Sequence, residues 1–183
     1  TPPKSQQGQE SAVAQMTPQQ IDILTGPIAL YPDALIAQIL TASTNFFELQ
    51  SFAAWLGKST ALKGDALQDA AHTEGYDAAF VALAPFPQVV QMMAQKPDWT
   101  KQLGQAFTAN KSAVFDSIQR LRAQAQAMGN LKSSSQQEVQ TQPTSSGQQV
   151  IVVQPANPQV VYVPQYNPQV VYVQSAPPPS STS

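Results

Sequence analysis

The stretch Val114-Phe115-Asp116-Ser117-Ile118-Gln119-Arg120-Leu121-Arg122-Ala123-Gln124-Ala125-Gln126-Ala127-Met128 decides the fold class of this chain. Val114, Ile118, Leu121, Ala125 and Met128 step by four, three, four and three, which lines one face of an α-helix, while Gln119, Arg120 and Gln124 fall off that stripe. Gly129-Asn130 ends it. Arg120, Arg122 and Lys132 are the nearest approach to a basic cluster, and their place near a helix C-terminus suits positive charge to the dipole there.

Toward the N-terminus the helical signals recur. Thr17-Pro18-Gln19-Gln20 offers an N-cap, a proline at the first helical position and a glutamine three residues after the cap, and Gly26 stops that helix. Asn45 with Glu48 repeats the capping pattern ahead of Phe46, Leu49, Phe52, Ala53 and Leu56, a stripe that ends at Gly57. Asp77 caps a short helix to Leu83, and Asp98 is expected to cap another from Trp99 through Leu103 to Phe107. Tyr31-Pro32-Asp33 and Phe86-Pro87-Gln88 both read as aromatic-proline helix starts, each followed by a second helix, a weak echo of a duplicated helical hairpin.

Toward the C-terminus the period changes. Val150-Ile151-Val152-Val153, Val160-Val161-Tyr162-Val163 and Val170-Val171-Tyr172-Val173 recur every ten residues, punctuated by Asn157-Pro158 and Asn167-Pro168, and the pattern predicts three short strands. Both faces of each strand are apolar. Three strands of about five residues lie at the lower limit of independent stability, so the segment needs cover on at least one face, and its outer strands are expected to offer open edges. Two sources of cover follow: the chain's own helices, or a second copy that adds a strand or roofs a face.

The expected organisation is therefore mainly α: a tail over residues 1–16, a compact helical domain over 17–130, a linker over 131–148, β repeats over 149–174, and a Pro/Ser tail over 175–183. The candidate interaction residues are Val150, Val152, Val160, Tyr162, Val163, Tyr166, Val170, Tyr172 and Val173. The tyrosines carry a large ring with a polar tip, the type favoured at interfaces, and packing on the chain's own helices would use the same property.

Composition narrows the function classes. Charged residues make up 11% of the 183 residues, the formal net charge is -2, and 28 are glutamine, which gives a neutral, amide-rich surface and argues against nucleic-acid binding. Cysteine is absent, so neither disulfides nor thiolate metal sites are available. No apolar run reaches the length of a membrane span. The opening Thr1-Pro2-Pro3-Lys4 reads as a mature terminus left after signal-peptide removal. His72 with Asp65 and Asp69 could share a helix face and hold a divalent cation or serve a hydrolase, but a solvated polar face explains the same spacing. No nucleophile elbow or phosphate-binding loop accompanies them. We expect no enzyme activity, cofactor or metal.

Several runs resemble the bacterial family called domain of unknown function 3300. They are Gly26-Pro27-Ile28-Ala29-Leu30-Tyr31-Pro32-Asp33-Ala34-Leu35, Phe86-Pro87-Gln88-Val89 with Met92-Met93, Asp98-Trp99-Thr100-Lys101-Gln102-Leu103, Gln119-Arg120-Leu121-Arg122, and Asn157-Pro158-Gln159-Val160-Val161-Tyr162-Val163-Pro164-Gln165-Tyr166. The resemblance covers residues 17–173 and implies an exported protein of the bacterial envelope, with no catalytic residue to carry over. The expectation is an exported structural protein that self-associates through its β repeats into a filament, with copies of itself and other envelope proteins as partners. The alternative is a monomeric periplasmic binding or scaffold module.

Overall fold

The computed structural model describes residues 16–172. In chain order they form α1 (Pro18–Thr25), α2 (Asp33–Ser43), α3 (Phe46–Lys58), α4 (Asp65–Thr73), α5 (Ala78–Leu83), α6 (Pro87–Gln95), α7 (Pro97–Ala109), α8 (Lys111–Ala127), β1 (Gln137–Pro143) and β2 (Gln149–Pro155). The mainly helical class follows from local chemistry. The Thr17 hydroxyl accepts from the Gln20 N–H while the Gln20 side chain accepts from the Thr17 N–H, a complete capping box. Asn45 and Asp77 cap α3 and α5 through their side chains, and α8 starts on Asn110, whose side chain accepts from the Ala113 N–H. Asp98 does not cap. Pro97 already occupies the first helical position of α7, because its missing N–H and fixed φ suit that place, and Asp98 sits inside the first turn instead.

The helices enclose one main core around Ile28, Ile39, Leu49, Phe52, Leu83 and Leu103, all fully buried. Phe52 is the centre of an aromatic group, with Trp55, Tyr76 and Phe80 rings at 5.9, 4.9 and 5.5 Å. On α8 the stripe Val114, Ile118, Leu121 and Ala125 is buried as the spacing predicts, whereas Met128 stays 40% exposed because the helix has ended at Ala127. Gly129 follows with φ +76, the left-handed value that suits a residue without a Cβ.

The connection from α1 to α2 is unusual in being buried: Ile28 and Ala29 are 0% exposed and Leu30 is 3% exposed. A buried loop exposes carbonyls that no helix or ladder satisfies, and each must find a donor elsewhere. Those donors come from α8 and from the C-terminal segment, which fixes where that segment lies.

The three-strand expectation needs correction. A single antiparallel hairpin forms, with β1 paired to β2 in the register Gln140↔Val152 and Val139↔Val153. β2 is the first predicted strand; β1 lies inside the stretch read as a linker. Its sequence, Gln137-Glu138-Val139-Gln140-Thr141-Gln142-Pro143, has little apolar signal because backbone hydrogen bonds to β2, rather than burial, recruit it. Gly147, at φ +84, supplies the turn. The second and third repeats fold as turns. The Asn157 and Asn167 side chains accept from the Gln159 and Gln169 N–H groups, and their carbonyls accept from the Val160 and Val170 N–H groups. Asparagine turn chemistry thus consumes the donors a ladder would use, and Pro158, Pro164 and Pro168 lack donors altogether.

Candidate interaction surface

β2 packs its odd-numbered side chains inward. Ile151 and Val153 are buried and share an apolar cluster with Leu30, Ala125, Leu131 and Val171. Val150 and Val152, on the opposite face, are half-buried along a groove that also holds Phe115, Ile36 and Asp33. The chain's own helices therefore cover one face of this strand and part of the other.

The hairpin edges are not open, contrary to the sequence expectation. At the outer edge of β2 the Gln119 amide both accepts from the Ile151 N–H (2.7 Å) and donates to the Ile151 carbonyl (3.0 Å), as a neighbouring strand would. At the outer edge of β1 the Ser133 hydroxyl accepts from the Val139 N–H (2.9 Å) and donates to the Val139 carbonyl (3.2 Å). Each edge is capped at its middle by a side chain, which obstructs strand addition there.

Arg122 joins the buried loop to the hairpin. Its side chain is 1% exposed, its Nε donates to the Ala29 carbonyl (2.8 Å), Nη1 to Ile151 (2.8 Å) and Nη2 to Tyr31 (2.9 Å), and Nη1 is paired with the Asp33 carboxylate. Arg120 reaches Asp22 on α1 at 2.7 Å. These arginines are anchors rather than decorations of a helix end. The signal was present: Ile118, Arg122 and Ala125 are spaced by four and three, which places Arg122 on the buried face.

Beyond β2 the chain continues as an arm over the body. The Tyr166 hydroxyl donates to the Gly26 carbonyl (2.9 Å) and accepts from the Leu30 N–H (3.3 Å), and the Tyr172 hydroxyl also donates to the Gly26 carbonyl (2.6 Å). The Asn130 amide donates to the Val171 carbonyl (2.9 Å). Of the residues singled out from sequence, Tyr166 and Tyr172 are thus engaged within the chain, Val163 packs on the main core, and Tyr162 is half-buried. Val160 and Val170 remain 64% and 52% exposed. Val173 lies outside the described residues. Sequence reasoning passed over the anchoring roles of Gln119, Asn130 and Ser133; the partners of Gln119 and Asn130 are backbone groups 32 and 41 residues away that no local pattern reveals.

Asp65, Asp69 and His72 are exposed on α4, and among the described residues no three His, Cys, Asp or Glu side chains converge as a metal site would require. No helix among them is long and apolar enough to cross a membrane.

Burial raises the acidity constants of the arm tyrosines. Tyr166 is pushed well above the ordinary tyrosine range by desolvation first and by Tyr172 second. Tyr172 is pushed up to about 12, again by desolvation, with the neighbouring Tyr166 hydroxyl and the field of Arg122 working in the opposite direction. A neutral phenol is therefore favoured in the folded state. The associated stability is fully present below the unfolded tyrosine value near pH 10 and is lost as pH rises through the folded value, since the unfolded chain ionises first. We expect the arm to release between about pH 10 and 12, seen as a late rise in tyrosinate absorbance accompanied by faster hydrogen exchange at Leu30 and Val171. A titration finished by pH 10, with every tyrosine ionising together, would contradict the buried arm.

Comparison with known proteins finds a family and a relative. The model of the family described as Protein of unknown function (DUF3300) matches residues 17–179. The Uncharacterized protein YacH of Escherichia coli (strain K12) is 43% identical over 122 residues, which is 67% of this chain and 20% of that protein. The aligned region thus spans about a fifth of the length of that relative. No solved structure matches the chain.

Proposed function

We propose, on the premise that this chain belongs to the family of proteins of unknown function DUF3300, that it is a non-catalytic structural protein, exported to the periplasm, cell surface or extracellular space, that self-associates through its C-terminal repeats. The observation that carries this reading is the set of valines left outside. Once Ile151, Val153 and Val171 are buried against the helices, Val160, Val161 and Val170 remain 64%, 36% and 52% exposed on one arm. The capped hairpin edges direct the contact to the outward face of the arm rather than to strand addition.

Magnitude sets the mode of assembly. Covering a valine contributes roughly 1.5 kcal/mol or a little more, so this patch offers a few kcal/mol, against an association cost of at least about 4 kcal/mol. A single contact is weak. Repetition along a filament, or confinement at an envelope surface, would add contacts without adding the same cost each time.

A second reading is a monomeric envelope scaffold, favoured by the engagement of Tyr166 and Tyr172 within the chain. Sedimentation velocity separates the two. The wild-type chain is expected to form larger species as its concentration rises, and the double variant Val160→Ser, Val170→Ser to remain monomeric with unchanged helical circular dichroism. A wild-type monomer across the whole range would sink the self-association reading and leave the scaffold.

A further inference from the structure

The arm carries one heptapeptide twice. Asn157-Pro158-Gln159-Val160-Val161-Tyr162-Val163 and Asn167-Pro168-Gln169-Val170-Val171-Tyr172-Val173 are identical. Within the described residues both copies open on the same turn, with asparagine side chains accepting at 3.0 and 2.9 Å and asparagine carbonyls accepting from the first valine at 3.0 and 3.1 Å. Their fates differ. In the second copy Val171 is buried with Leu30, Ala125 and Leu131, its carbonyl takes the Asn130 amide, and the Tyr172 hydroxyl reaches the Gly26 carbonyl. The Tyr172 and Pro168 rings pack over Gly26, 3.7 and 3.8 Å from where a Cβ would stand, an ordinary van der Waals distance. In the first copy Val161 is exposed, and Tyr162 makes no side-chain hydrogen bond among the described residues.

We infer that Gly26, Leu30, Ala125, Asn130 and Leu131 form a recognition site for the segment Asn-Pro-Gln-Val-Val-Tyr, and that in the assembled state residues 157–162 of a second copy occupy it in place of the chain's own residues 167–172. This rests on the self-association reading and adds to its outward valine contact a second one, made by the Val161 and Tyr162 side of the first copy. Every side chain that contacts the site within residues 167–172 has an identical counterpart in residues 157–162. The second copy prevails within one chain because Tyr166 precedes it and adds bonds to Gly26 and Leu30, whereas the equivalent position before the first copy is Ala156. The chain therefore holds two copies of the ligand for one such site. Exchange replaces the contacts of residues 167–172 with the same set and forgoes only the two bonds of Tyr166, so it is slightly unfavourable in contact energy. A tethered segment acts at an effective concentration of about a millimolar. Exchange accordingly gains ground only where copies are crowded to a similar level, as along a filament.

The test uses the full chain and an N-terminally labelled peptide, Asn-Pro-Gln-Val-Val-Tyr-Val, followed by fluorescence anisotropy. The Tyr172→Ala chain is expected to bind it saturably, the wild-type chain to bind it weaker by about tenfold or more because its own segment competes, and a peptide with alanine for tyrosine to bind neither. Tyr172→Phe, which keeps the ring and loses the bond to Gly26, is expected to fall between the two and covers the case in which the alanine variant does not fold. In sedimentation, Tyr162→Ala should self-associate less than the wild-type chain. Absence of peptide binding to folded Tyr172 variants, or equal binding to variant and wild type, overturns the site even if the chain self-associates. A wild-type chain that stays monomeric overturns the exchange together with the reading beneath it, whatever the peptide does.

Discussion

Replacing Arg122 by alanine is expected to lower the unfolding free energy by about 2–5 kcal/mol, chiefly through the buried carbonyls it leaves without a donor, since its ionic partner Asp33 is half-exposed and stays hydrated. The guanidinium is 1% exposed and holds the carbonyls of Ala29, Tyr31 and Ile151 at 2.8 to 2.9 Å. The Ala29 and Tyr31 carbonyls would lose their donor, while the Ile151 carbonyl keeps the Gln119 amide, and a buried group left unsatisfied costs about 1–3 kcal/mol. Lysine should recover only part of the loss. Its ammonium is compact, whereas the three carbonyls and the Asp33 carboxylate are met by a planar fork. Urea unfolding followed by circular dichroism measures the effect. Hydrogen exchange adds a spatial readout, because Ile151 is the point where Arg122 grips the hairpin, and protection across β2 should fall before protection in α3 or α7. An alanine variant within about 1 kcal/mol of wild type would mean that water or another donor already satisfies those carbonyls.

The same residue marks how far the sequence was legible. Helices α1, α3, α5 and α8 could be read because their causes are local: Thr17, Asn45 and Asp77 each bond within their own first turn or beside it, and α8 shows an unbroken apolar stripe from Val114 to Ala125. The strands were read from Val-rich runs with Asn-Pro as the punctuation between them, and two of three failed because the Asn157 and Asn167 turns extend into the runs and compete with a ladder. β1 was missed because only Val139 marks it as apolar. The burial of the candidate interaction residues was half legible. Val160 and Val170 are outside as an interface would need, yet Tyr166 and Tyr172 turn inward, since the carbonyl of Gly26 in a buried loop requires donors. That requirement is set by burial of residues far apart in sequence, and no period or cap within the arm could announce it.

Gly104→Ala is expected to destabilise the fold by about 2–3 kcal/mol, although alanine is the better helix former by roughly 1 kcal/mol. Gly104 lies inside α7, where that helix crosses the end of α2, and a Cβ there would come within 2.7 Å of the Ser43 carbonyl carbon and closer still to its oxygen. Both atoms are backbone, and Ser43 is itself buried, so neither can rotate away. Relief would require α7 to withdraw by on the order of an ångström, which in a close-packed interior loosens its other contacts as well. Those contacts include buried Leu103 and Ala106 and the bond from the Trp99 indole to the Leu24 carbonyl. Gly57 supplies the opposite case within the same molecule. It sits in α3 with open space where a methyl group would stand, and Gly57→Ala should raise stability by about 0.5–1 kcal/mol through reduced freedom of the unfolded chain. Opposite signs from one kind of substitution, measured in parallel urea titrations, would establish the α2 and α7 crossing as a backbone-to-backbone contact, and a neutral or stabilising Gly104→Ala would show that the two helices stand further apart.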